Sequence, residues 1–210
     1  MARTKDLHFL DLLFQRIAVI LDMKTLERLA TRAAEWASDP ELRGKYAKRY
    51  YELEEKLAML LEPPEDSADQ LSYRAIGEQF GLDDWELQVL AIAAAPRFDI
   101  QFEDYFARFH LSSTRSHCTV GMCLHLLFAT REQRWRRRNM FVDDSPLVES
   151  GLIRLTAAPG ASGDDLMERA VVACDFIFDA LVGELPAEEL ATYLRIQSRV
   201  AARPVSTAPS

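Results

Sequence analysis

The 210-residue chain is 49% hydrophobic and 28% charged, an ordinary globular balance with enough apolar surface for one large or two small cores. Its 25 Lys and Arg against 33 Asp and Glu give a formal net charge of −8, which opposes sequence-independent binding of a polyanion by the whole surface. Cys118, Cys123 and Cys174 are odd in number and lie in apolar runs, which points to free thiols in a reducing cytoplasm, and no stretch has signal-peptide form or the ~18 apolar residues of a span, so neither secretion nor membrane insertion is expected.

Leu10, Leu13, Phe14, Ile17 and Ile20 recur at three- and four-residue steps, which predicts an amphipathic helix over Leu7 to Ile20. Met23 to Trp36 repeats the pattern more weakly. Asp39-Pro40 then supplies an N-cap residue followed by proline at the first helical position, and a third helix carries Tyr46, Tyr50, Leu53, Leu57, Leu60 and Leu61 up to Pro63-Pro64. Residues 1–62 therefore read as a helical hairpin or small bundle. The acidic, proline-containing stretch Glu62 to Gln70 has no large apolar residue, which makes 63–70 the linker candidate.

Residues 71–160 have the order of a winged helix. Tyr73 to Phe80 is a short helix closed by Gly81, and Asp83-Asp84-Trp85-Glu86 forms a capping-box pattern ahead of a helix through Ala95 that is apolar on every side and ends at Pro96. Asp99 to His110 places Phe102, Tyr105, Phe106 and Phe109 on one helical face. A polar turn, Ser112 to His117, separates it from a helix over Cys118 to Phe128, giving helix, turn, helix. The wing is expected as a short β-hairpin of Met140 to Val142 and Leu152 to Leu155, with Ser145 to Gly151 as one capped helical turn between the strands.

After a small-residue loop, Asp164 to Leu181 lines up Leu166, Ala170, Ala173, Ile177 and Leu181 as a helix ended by Gly183. A last helix runs from Ala187 to about Ala202, so 164–202 reads as C-terminal helices and 203–210 as a frayed tail. The fold class is mainly α.

None of the chemistry-bearing residue types forms a catalytic pattern. There is no nucleophile elbow, and the Gly44-Lys45 pair lacks the rest of a phosphate-binding loop. His117, Cys118, Cys123 and His125 are too crowded along one turn and helix to converge on zinc, and the acid pairs Asp83-Asp84, Asp143-Asp144 and Asp164-Asp165 each precede a predicted helix start, where carboxylates cap free N–H groups. A DNA reader needs Arg, Lys, Asn or Gln on its recognition helix, and Cys118 to Phe128 offers little beyond Thr119 and His125. The sharpest local feature is Arg131-Glu132-Gln133-Arg134-Trp135-Arg136-Arg137-Arg138. Read as a basic loop around a tryptophan, it suits an acidic protein surface, or phosphates with Trp135 stacked on a base. The net charge favours the protein partner or a plain solvated loop over nucleic acid.

The runs Phe80-Gly81-Leu82-Asp83-Asp84-Trp85-Glu86 and Pro96-Arg97-Phe98-Asp99, with Thr119-Val120, Pro146-Leu147, Gly151-Leu152 and Leu155, resemble the N-terminal winged-helix domain found ahead of the ATPase modules in certain bacterial AAA+ ATPases. The resemblance covers about Leu71 to Gly183 and departs from the pattern at Cys118, where proline is expected. It implies a non-catalytic domain that recruits a protein partner or substrate, as in contractile-injection and similar systems. ATP and Mg would belong only to ATPase modules following in cis. Arg131, Arg134, Trp135, Arg136, Arg137 and Arg138 are then the contact candidates, and a winged-helix DNA-binding regulator is the alternative.

Overall fold

A computed structural model describes residues 2–32, 39–61, 71–157 and 165–201. The linker candidate and the tail lie outside the described residues. The described elements are α1 (Ala2–Arg32), α2 (Pro40–Leu61), α3 (Leu71–Phe80), α4 (Asp84–Phe98), α5 (Gln101–His110), α6 (Val120–Leu127), α7 (Arg131–Arg137), α8 (Pro146–Glu149), β1 (Ile153–Thr156), β2 (Ala170–Ala173), α9 (Ile177–Leu181) and α10 (Ala187–Ala201).

At the centre is α4. Asp83 accepts from the Trp85 and Glu86 amides while the Glu86 carboxylate accepts from the Asp83 amide, so the capping box expected from the sequence is made in both directions. Behind it Leu87, Val89, Leu90, Ala91, Ile92, Ala94 and Ala95 are all buried. The helix runs through Pro96 to Phe98 rather than ending at the proline. In a last turn Pro removes one intrahelical bond, and the Asp99 amide still reaches the Ala95 carbonyl at 3.0 Å.

Leu7 to Ile20 and the start of the weaker pattern after it form one helix, α1, not two. Leu10, Phe14, Ile17 and Leu21 enter the same core as α4, α5 and α6, and Phe14 stacks on Phe98 with ring centroids 4.4 Å apart. The second tie is polar. Buried Asp6 accepts from the Ser72 amide at 3.1 Å and the Ser72 hydroxyl at 2.9 Å, at the start of α3. Gly183 closes over this pair in a left-handed conformation (φ 75°), and a Cβ there would lie 2.9 Å from both the Asp6 and Ser72 oxygens. In contrast α2 packs chiefly on α1 and fully buries only Leu53 among its described side chains.

The wing differs from the expected one. Met140 to Val142 is not a strand; Arg138–Phe141 makes a 3-10 turn in which Met140 and Phe141 are both buried. The strand that pairs with β1 is instead β2, antiparallel, with Ile153 opposite Ala173 and Thr156 opposite Ala170. The predicted helix over Asp164 to Leu181 survives only as a 3-10 turn (Leu166–Glu168) and α9. Thr119, which caps α6, bridges to Ala170, so the start of α6 is laid against the hairpin.

The α5 to α6 turn holds two half-buried imidazoles. His110 Nε2 lies 3.2 Å from the His117 carbonyl, and the His117 Nε2 atom is buried without a hydrogen-bond partner among the described residues. Burial, with the neighbouring His117, Arg28 and Arg115, pushes the His110 pKa down to about 4, although its hydrogen bond opposes this. His110 is neutral in the folded chain and takes a proton in the unfolded chain below about pH 6.5. The unfolded state therefore binds more protons between these values, and stability falls as pH drops from about 6.5 toward 4. The melting temperature is expected to fall between pH 7 and pH 5, and His110→Gln, which keeps a hydrogen-bond donor, to remove part of that slope.

Candidate interaction surface

The arginine cluster is helical, which corrects the basic loop expected from sequence. Thr130 and Gln133 form a capping box, each side chain accepting from the other residue's amide, and set α7 in motion at Arg131. The sequence signal was present in Thr130-Arg131-Glu132-Gln133, obscured by the charge density that follows.

Helix periodicity then sorts the arginines into two groups. Arg134 turns inward and donates to the Phe128 and Ala129 carbonyls at 2.9 and 3.0 Å, satisfying acceptors left free at the end of α6. Arg137 donates to Asp83 at 2.8 Å, and its guanidinium lies 5.9 Å from the Phe128 ring centroid. Asp83 thus caps α4 and anchors α7, a second role that sequence reasoning missed because the two residues are 54 positions apart. Arg136 pairs with Glu132 one turn back at 2.6 Å, in solvent, where such a pair contributes about 0.3–0.5 kcal/mol.

Arg131, Trp135 and Arg138, at four- and three-residue steps, share one outward face of α7. Trp135 is 65% exposed, and the Arg138 guanidinium stacks 3.5 Å from its ring centroid. A cation over an exposed indole adds about 0.5–1 kcal/mol, which favours this ring orientation a few-fold. The result is an exposed aromatic plate stacked by one guanidinium, with Arg131 one turn back on the same helix.

The helix-turn-helix presents no comparable surface. In α6, Val120, Met122, Cys123, Leu124 and Leu126 are buried. Of the rest, a Cβ on Gly121 would lie 3.0 Å from the Met167 carbonyl, and the His125 ring holds the Gly121 carbonyl at 2.8 Å. Cys118 and Cys123 are buried free thiols with sulfurs 3.2 Å apart, and desolvation pushes the Cys118 thiol well above its usual range, so it acts as a small core hydrophobe. Among the described residues no His, Cys, Asp and Glu side chains group to hold a metal, and no helix is long and apolar enough to cross a membrane. Of the acid pairs, Asp83 caps α4 and Asp165 caps the 3-10 turn at Met167.

A family profile described as "Winged helix domain, variant" matches residues 4–193. The chain belongs to that family. The match takes in nearly all of α1, the whole of α2 and the first half of α10 as well as the helix-turn-helix and the hairpin, so the variant winged helix includes helices that flank it in sequence. No curated protein and no solved structure shows significant similarity to the chain.

Proposed function

We propose that this variant winged-helix chain is a non-catalytic recruitment domain that binds a protein partner or substrate through the outward face of α7. We further propose that it serves an AAA+ ATPase joined to it in cis, in the cytoplasm, as the sequence resemblance to recruitment domains of contractile-injection and similar systems implies. ATP and Mg would then belong to the ATPase modules and not to this chain.

The observation that carries the protein-binding reading is the contrast between α6 and α7. The helix that would enter a DNA groove is sunk into the core, whereas Trp135, framed by Arg131 and Arg138, stands in solvent. Aromatic and arginine side chains of this kind dominate protein interfaces. Three exposed arginines, Arg131, Arg136 and Arg138, one of them paired with Glu132, on an acidic chain also fall short of the roughly 6–10 phosphate contacts of a strong DNA binder.

The test is capture from cytoplasmic extract by the purified chain, with and without nuclease, followed by mass spectrometry. One or a few proteins retained after nuclease is the expected result. Capture that disappears with nuclease would assign the patch to nucleic acid and favour the DNA-binding regulator.

A further inference from the structure

A cleft of about 230 Å³ lies where α1, α2, α4 and α6 meet. Its walls are aliphatic: Ile17 and Ile20 from α1, Leu57 from α2, Ile92 from α4, Leu126 and Leu127 from α6. Two polar side chains, Arg16 and Gln88, stand at one end, where the cleft adjoins a second hollow that both residues also line. Arg16 donates through Nε to the Leu60 carbonyl at 2.5 Å, and no carboxylate of the described residues lies within the 4.0 Å of an ion pair. Its terminal nitrogens thus carry a half-buried positive charge without a counter-ion among the described residues.

We propose that this cleft binds a small amphiphilic carboxylate, with its alkyl chain among the aliphatic residues and its carboxylate on Arg16 and Gln88. An apolar cavity of about 150 Å³ accepts benzene, six heavy atoms, so 230 Å³ accepts about nine or ten, the size of octanoate. An aliphatic wall with few polar groups at one end is the usual form of a site for such a molecule. A guanidinium matches a carboxylate in charge and in its two-pronged geometry. Because α2 fully buries only Leu53 among its described side chains, a ligand touching Leu57 would also hold α2 against α1. This inference uses a different face from α7 and stands apart from the recruitment reading.

Calorimetric titration of the purified 210-residue chain with sodium octanoate, octan-1-ol and octylammonium tests it. Saturable octanoate binding is expected, with the alcohol and the cation at least about tenfold weaker. Arg16→Met should weaken octanoate about tenfold and Arg16→Lys less, while Ile20→Phe and Leu57→Phe, which fill the cleft from two helices, should abolish it. No saturable heat up to about 5 mM octanoate (a binding free energy weaker than roughly 3 kcal/mol) would overturn the site. Equal binding of all three amphiphiles would overturn the carboxylate assignment, and affinity unchanged in both phenylalanine variants would place the ligand elsewhere.

Discussion

Replacing Phe14 with alanine is expected to lower the unfolding free energy by about 3–5 kcal/mol, a large part of the stability of a domain this size. Phe14 is 2% exposed, stacks on Phe98 and meets Phe102 edge-on at 5.9 Å, so truncation removes contacts to both α4 and α5 and leaves a cavity between α1 and the rest. The loss should appear in one transition. Denaturant unfolding followed by far-ultraviolet circular dichroism reports all helices, and Trp85, which packs on Phe128 at the start of α4, reports the centre of the winged helix. Both midpoints are expected to shift together, with Asp11→Ala, at an exposed position of α1, as a control near zero. A Trp85 transition that stays in place while helix signal is lost early would mean that α1 unfolds on its own.

Much of the fold is legible in the residues because local and tertiary demands agree there. Asp83 to Glu86 requires a capped helix start, and an apolar sequence on all sides of α4 can only be buried. Gly81, in a left-handed conformation, ends α3 where sequence places the stop, and Ser145-Pro146 opens α8. The wing was not legible for a physical reason. Ala170 and Ala173 suit a helix stripe and a buried strand equally, and only the pairing of Ile153 and Leu155 with Ala173 and Val171, together with the Thr119 bridge, decides between them. Likewise Arg134 and Arg137 look equivalent to Arg131 and Arg138 along the chain. Their separation into anchors and free groups depends on which side of α7 faces the carbonyls ending α6 and on Asp83, which is 54 positions away in sequence. The cleft beside Arg16 was beyond sequence reasoning altogether, since it exists only where four helices converge.

That separation of the arginines makes the interaction surface testable without disturbing the fold. Changing Arg131, Trp135 and Arg138 together to alanine removes exposed side chains only, so the melting temperature should move little, while affinity for the captured partner should fall about a hundredfold. Lys45→Ala, Lys48→Ala and Tyr51→Ala on α2 remove the same charge and another exposed aromatic, and should leave affinity nearly unchanged. The comparison separates a shaped contact from general attraction between a cation and an acidic surface. If the two triple variants weaken binding equally, net charge and not the Trp135 plate is responsible, and the loss should vanish as salt is raised. If only the α7 variant loses binding, Arg134 and Arg137 acquire their functional meaning as the residues that hold that plate in place. Arg137→Ala should then weaken the partner through misplacement of α7, by less than the triple change and together with a lower melting temperature, because the Asp83 carboxylate loses its cation.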